Sequence, residues 1–282
     1  MKVGRIALAL ILTLVLLFMA RRLAMVQSRV MQNTSAGITI SHQNPGKAFE
    51  NRNFVVTARV TPVLSMGQKL LLNFTYGGND SDWSAAEMSA KEAGSDTLAA
   101  DINGQPKGEN LFYYFEAQDS LGAVAASLGA EQNPLRLRFE GSVPAHIIVP
   151  HIFFMFAGAF FAFLSLFGAV QLLKNKGGVD AVAKKVAWTT LFVFIGGFPL
   201  GILVTRRALG GLGWGGFPLG NDMTDTKTLV IFLFWLILLI LGKGSVFQKN
   251  AEKNLVKPAT YGKLALVGFI LLLGLYLIPH SL

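Results

Sequence analysis

The sequence predicts a membrane protein of mixed α and β type: five transmembrane helices, one a signal anchor and four forming a bundle, with an extracytoplasmic antiparallel β-sandwich inserted after the first helix. Three observations predict it. The 282-residue chain is 52% hydrophobic and only 15% charged, against roughly 25% charged in ordinary soluble domains. Its apolar residues are bunched into five runs long enough to approach the ~20 residues a helix needs to cross a bilayer. Between the first and second runs, the pattern changes to alternation with period two.

The first run, Ile6 to Ala20, follows Lys2 and Arg5 and precedes Arg21 and Arg22. A cleavable leader would need small residues just beyond the apolar core, and Phe18, Met19 and the arginines stand there instead. Residues 1–28 therefore read as a signal anchor whose arginines snorkel to the headgroups. Four later runs, at about 147–173, 186–205, 227–242 and 261–280, read as the bundle within residues 144–282. Lysines 174, 176, 184 and 185 crowd the loop after the second helix, and lysines 243, 249, 253, 257 and 263 the loop after the fourth, while the 206–227 loop carries only Arg206, Arg207 and Lys227. The positive-inside rule then puts the N-terminus in the cytoplasm and the sandwich and C-terminus outside it, with Arg21, Arg22 and Arg29 opposing. The expected location is a bacterial inner membrane, and the lipid bilayer the first partner. The net charge of +9 resides largely on these loops, so no basic polar face is left for nucleic acid.

Residues 34–142 read as the sandwich. Strands are expected at 54–60, 69–76, 86–88, 96–102, 111–117 and 135–139, with turns at Gly77-Gly-Asn-Asp80 and Asn103-Gly104. Tyr76, Trp83, Met88, the run Asp96-Thr-Leu-Ala-Ala-Asp-Ile102 and the run Phe112-Tyr-Tyr-Phe-Glu-Ala-Gln-Asp-Ser-Leu-Gly122 carry a resemblance over about residues 48–140. This stretch resembles the fibronectin-type-III or immunoglobulin-like domains of bacterial envelope proteins. The resemblance implies a sandwich core and an extracytoplasmic setting, and brings no functional residue with it.

Candidate chemistry is thin. His146 and His151 enter the second helix and His280 leaves the fifth, so these three could gather near one membrane face and hold a b-type haem or a metal ion. Five residues along a helix is about 140° of rotation, however, so His146 and His151 do not share a face. Their plain structural role is interfacial, with Pro144, Pro150 and Pro279 marking helix ends. The glycine-rich segment from Gly210 to Lys227 is the most unusual stretch. Trp214, Phe217, Asp222 and Asp225 in it could line a ligand or quinone cleft. As structure alone, the aromatics anchor at the interface while Thr224 or Asp225 caps the fourth helix.

The spans carry almost no ionisable residue at mid-depth, which argues against proton pumps and charged channels. The small-residue pairs Gly158/Ala162 and Gly197/Gly201 predict close helix packing, and Pro199 predicts a kink in the third span. With no cysteine there is no disulfide and no thiol nucleophile. No phosphate loop, serine elbow or His-Glu-x-x-His is present, and no catalytic residue is assigned. The expected function is that of a non-catalytic subunit whose exported sandwich contacts a membrane or periplasmic protein partner. The alternative is a b-haem- or metal-binding subunit in quinone-linked electron transfer, and a small-molecule transporter ranks third.

Overall fold

The computed structural model describes residues 3–24, 29–77, 82–90 and 94–278. They belong to two compact units, one helical (Met1–Met25, Val143–Arg206 and Leu212–Leu282) and one built on strands (Val26–Ser142 with Arg207–Gly211). His280 and Pro279, and residues 78–80 of the turn expected after Gly77, lie outside the described residues.

The strand unit contains β1 (Arg29–Ser35), β2 (Ile38–Asn44), β3 (Lys47–Phe49), β4 (Phe54–Thr61), β5 (Lys69–Tyr76), β6 (Ser84–Glu87), β7 (Ser89–Ala90), β8 (Thr97–Ile102), β9 (Asn110–Gln118), β10 (Val124–Leu128) and β11 (Leu135–Glu140). Among the described residues they form two sheets, ordered β1-β2-β4-β8-β7 and β3-β11-β9-β5-β6, with β10 also paired to β9. Every ladder is antiparallel except β3 with β11. Because β5 occupies one edge of β9 along residues 111–118, β10 and β11 share the other edge in succession and act as one strand interrupted at 129–134.

Alternation explains the core. On β9, Leu111, Tyr113, Phe115 and Ala117 are fully buried while the residues between them are not, as a period of two demands. They share one apolar cluster with Ile40, Val56, Val60 and Ile102 of the other sheet. The buried His42 of β2 belongs to this core. Its Nδ1 lies 2.7 Å from the Thr57 carbonyl oxygen, which can only accept, so Nδ1 carries the proton and Nε2 accepts from the Tyr113 hydroxyl at 2.8 Å. Burial lowers the His42 pKa and raises that of Tyr113, so the ring is kept neutral and the phenol remains a donor.

The helical unit contains α1 (Val3–Ala24), α2 (Ala145–Leu173), α3 (Val179–Ile195), a π-helical turn (Gly196–Leu200), α4 (Gly201–Leu209), α5 (Met223–Leu241), the short α6 (Lys243–Phe247) and α7 (Pro258–Leu277). Among the described residues five helices, the third running through the π turn as Val179–Leu209, are long and apolar enough to cross a membrane. The third begins several residues before the apolar run because Val179, Val182 and Val186 turn one face of its first turns inward while Asp180 and Lys184 stay exposed. Pro150 lies inside α2 rather than at its end, and Pro144 occupies the N-cap.

Small residues set the packing. A Cβ on Gly158 would stand 2.9 Å from Val193 Cγ2, and one on Gly196 would stand 2.9 Å from the Met155 backbone nitrogen. The approach of α2 to α3 and to the π turn therefore requires glycine at both places. On α1, Ala9, Thr13 and Leu16 are buried at helical spacing, and the Thr13 hydroxyl donates to the Ala9 carbonyl oxygen. The single Thr190 hydroxyl proton is shared between the Val186 carbonyl oxygen within its helix at 2.9 Å and the Trp235 carbonyl oxygen of α5 at 3.1 Å.

Candidate functional site

The helical unit holds a cavity of about 380 Å³ where the C-terminal ends of α1 and α7 meet the N-terminal ends of α2 and α5. Its polar lining consists of Arg21, His151, Lys227, Thr228 and Tyr276; the other walls are aliphatic residues, Met155 and Phe156. No carboxylate lines it among the described residues. The volume is within the range of about 300–1,000 Å³ typical of small-molecule sites.

Each polar group has a local reason for its place. Pro199 has no amide proton and sits in the π turn, where the helical ladder is rearranged. The Gly196 carbonyl oxygen in that turn lies 2.9 Å from His151 Nδ1, which donates to it. This bond fixes the tautomer and leaves Nε2 with its lone pair. Thr228 donates to the Thr224 carbonyl oxygen at 2.9 Å and packs so closely on the π turn that a Cβ on Gly197 would fall 2.4 Å from its methyl carbon. Tyr276 donates to the Met155 carbonyl oxygen at 2.8 Å. Lys227 is only 4% exposed, and its Nζ donates to the Ile278 carbonyl oxygen at 2.6 Å.

Asp225 and Lys227 are thus helical and buried, although the sequence pattern assigns Asp225 to the loop and starts the span at Lys227. The glycine-rich segment folds onto the N-terminus of α5. Asp222 is the N-cap, accepting from the Thr224 and Asp225 amides at 2.7 and 3.1 Å. Asp225 accepts from the Gly215 amide at 2.7 Å, and Thr226 accepts from the Phe217 amide at 3.1 Å. Gly216 lies directly against this turn, where a Cβ would meet Asp225 Cβ at 2.6 Å. Both acids are therefore engaged by backbone amides. Trp214 stacks on Phe198 with centroids 5.3 Å apart, whereas Phe217 is 64% exposed.

Of the three candidate histidines, His146 is exposed at the start of α2 and His151 is half-buried against the π turn, so the two are not brought together. Among the described residues no group of three His, Asp or Glu side chains is placed to hold a metal ion.

The strand unit offers a different feature. Met66, in the loop between β4 and β5, and Leu121, in the loop between β9 and β10, are essentially fully exposed at 103% and 93%. The loops are neighbours: a Cβ on Gly67 would lie 3.2 Å from Ser120 Cβ, and its φ of +86° also calls for glycine. Each tip is clasped from beneath. Gln68 accepts from the Ser65 amide at 2.8 Å and donates its own amide to the Ser65 carbonyl oxygen at 3.0 Å. Asp119 accepts from the Leu121 and Ala123 amides, both at 2.9 Å. Hydropathy does not single out Met66 and Leu121, because one apolar residue in a polar loop is ordinary until its neighbour is known.

No protein-family model matches this chain, and no curated protein is similar to it.

Proposed function

We propose that this chain is a multi-pass membrane protein, non-catalytic, whose β unit lies outside the cytoplasm as an immunoglobulin- or fibronectin-III-like sandwich and binds a protein partner through the Met66 and Leu121 loops. The strand orders support the sandwich reading. Naming β2, β4, β5, β6, β7, β8 and β9 as A, B, C, C′, D, E and F, with β10 and β11 as an interrupted G, the sheets run A-B-E-D and C′-C-F-G, the constant-type orders with an added C′, and carry two strands beyond them, β1 at the edge next to A and β3 at the edge next to G. The wide apolar surface of the helices supports the bilayer reading: Leu10, Ile11, Leu14 and Phe18 of α1 are each more than half exposed, which lipid would cover. The charge of the loops supports a cytoplasmic N-terminus, and the setting we propose is the inner membrane of a bacterium.

One observation carries the functional reading. In the A-to-G naming, Met66 sits on the B–C loop and Leu121 on the F–G loop, the two adjacent tips at the pole that variable domains use for recognition. The pole is opposite the one where the chain enters at Arg29 and leaves at Glu140: Lys69 pairs with Gln118 at the first pole and Arg138 with Asn110 at the other, while Thr39 pairs with Thr61 at the first and Arg29 with Asn44 at the other. Apolar side chains held at clasped tips are suited to an apolar pocket on a partner, since little ordering remains to be lost on binding.

Site-specific photo-crosslinking in intact cells tests it. A photoreactive residue at 66 or at 121 should give an adduct of the same mass, while one at the exposed Asp101 should give none. Silence at both tips, or equal adducts from Asp101, would sink the reading.

A further inference from the structure

We infer that the cavity of the helical unit is a binding site for an anionic amphiphile, an acyl chain bearing a phosphate or carboxylate head, seated between α1, α2, α5 and α7. The inference rests on the bilayer reading above, because only a lipid-facing bundle would meet such a ligand.

Shape and chemistry point the same way. The cavity's walls are aliphatic residues with Met155 and Phe156, which suits a chain rather than a hydrated solute. Its polar groups are gathered where four helices end on one side: Arg21 in the last turn of α1, His151 in the second turn of α2 and Lys227 in the second turn of α5. Charge complementarity selects the head. Arg21 is a permanent cation with a planar fork of donors that matches phosphate and carboxylate oxygens, and no described acid lines the cavity to oppose it. At the end of a span, a cation at headgroup level attracts an anionic lipid head and can hydrogen-bond its oxygens. Asp222 and Asp225, the nearest acids in sequence, are already held by the amides of Thr224, Asp225 and Gly215.

The site is also built rather than incidental. Gly196 and Gly197 draw the π turn against Met155 and Thr228, and His151 is fixed by the Gly196 carbonyl oxygen, so the wall on that side is rigid. A neutral quinone would use the same apolar walls but would draw nothing from Arg21 beyond one hydrogen bond. The two classes are therefore separable by charge.

Native mass spectrometry of the full chain, purified in a neutral detergent, tests the site with phosphatidylglycerol, phosphatidylcholine of the same acyl chains, decylubiquinone and inorganic phosphate as probes. The expected result is retention of one phosphatidylglycerol at least tenfold more tightly than phosphatidylcholine, with no adduct from phosphate alone. Arg21→Gln, at an exposed position, should bring the ratio of the two lipids close to one. Ala20→Phe should lose both by filling the cavity. If Ala20→Phe fails to fold, Arg21→Gln alone decides the matter. Equal retention of the two lipids, an unchanged ratio in Arg21→Gln, a quinone that displaces phosphatidylglycerol at equal concentration, or a phosphate adduct without lipid would each overturn the inference. Carbonate extraction of cell membranes, scored separately, reports whether the chain is embedded, so failure of the bilayer reading is distinguishable from failure of the site.

Discussion

In the β unit burial alternates from one residue to the next along a strand, whereas in the helical spans nearly every residue is apolar and polarity does not separate the buried from the exposed. On β9 Glu116 and Gln118 alternate with the buried Phe115 and Ala117; on α2 the buried Ala159, Phe163 and Leu164 and the exposed Val149 and Phe153 are alike apolar. Water drives the first arrangement, since each apolar face must leave it. It cannot order the second if lipid covers the helices, because lipid tails are as apolar as leucine; close approach and hydroxyl bonds must do so instead.

The largest expected effect sharpens that difference. Phe115→Ala in the β unit should destabilise by about 3–5 kcal/mol, as cavities left by buried aromatics do. Phe153→Ala, at a 62% exposed helical position, should cost far less. Denaturation of the full chain in micelles, followed by near-ultraviolet circular dichroism, compares them. Equal losses would break the contrast.

Next comes the packing of small residues. Gly197→Ala should cost about 1–3 kcal/mol through overpacking, because the new methyl would meet Thr228 Cγ2. Thr228→Ser removes that carbon and should restore part of the loss when combined with it. A double variant no more stable than the single would show that the contact is not the cause.

The buried histidine gives a pH effect. Burial holds the His42 pKa in the folded chain below its ordinary value of 6.5, so below that pH the unfolded chain binds more protons than the folded one. Stability from this group is full above about pH 6.5 and is lost as the pH falls toward the folded pKa. Unfolding midpoints measured from pH 8 to pH 5 should decline on the acid side, and His42→Phe should flatten that decline while lowering the plateau. Parallel profiles would remove His42 as its source.

The smallest effect is the cap of α5. Asp222→Ala should cost roughly 0.5–2 kcal/mol, the usual worth of such a cap, and hydrogen exchange should rise at the Thr224 and Asp225 amides. Unchanged exchange there would mean that the cap contributes nothing measurable.

Legibility in the sequence followed the same division. The strands 69–76, 111–117 and 135–139 are plain in the pattern: strict polar alternation marks 135–139, and runs of leucine, phenylalanine and tyrosine between turn residues mark the other two. β1 and β10 escape notice: Arg-Val-Met-Gln-Asn-Thr-Ser is mostly polar, and Val-Ala-Ala-Ser-Leu contains small residues without contrast. β2 is hidden by His42, an inward-facing polar residue satisfied by two partners far along the chain. The five long helices are evident from hydropathy, and the Gly158 and Gly197 contacts from small-residue spacing. The cavity is not legible, since Arg21, His151 and Lys227 lie on three helices and their proximity is a property of packing. Likewise, the cap at Asp222 rather than Thr224 or Asp225 depends on where the helix begins, and that is set by the glycine loop folding back upon it.

In the proposed arrangement these two regions meet different surroundings, lipid for the helices and the extracytoplasmic medium for the β unit. The chain contains no cysteine, so single cysteines can be read without background. Met66→Cys and Lys249→Cys, treated in intact spheroplasts with a membrane-impermeant maleimide, measure it directly. Labelling is expected at position 66 before permeabilisation and at position 249 only after it; labelling at 249 alone, or at both without permeabilisation, would contradict this arrangement.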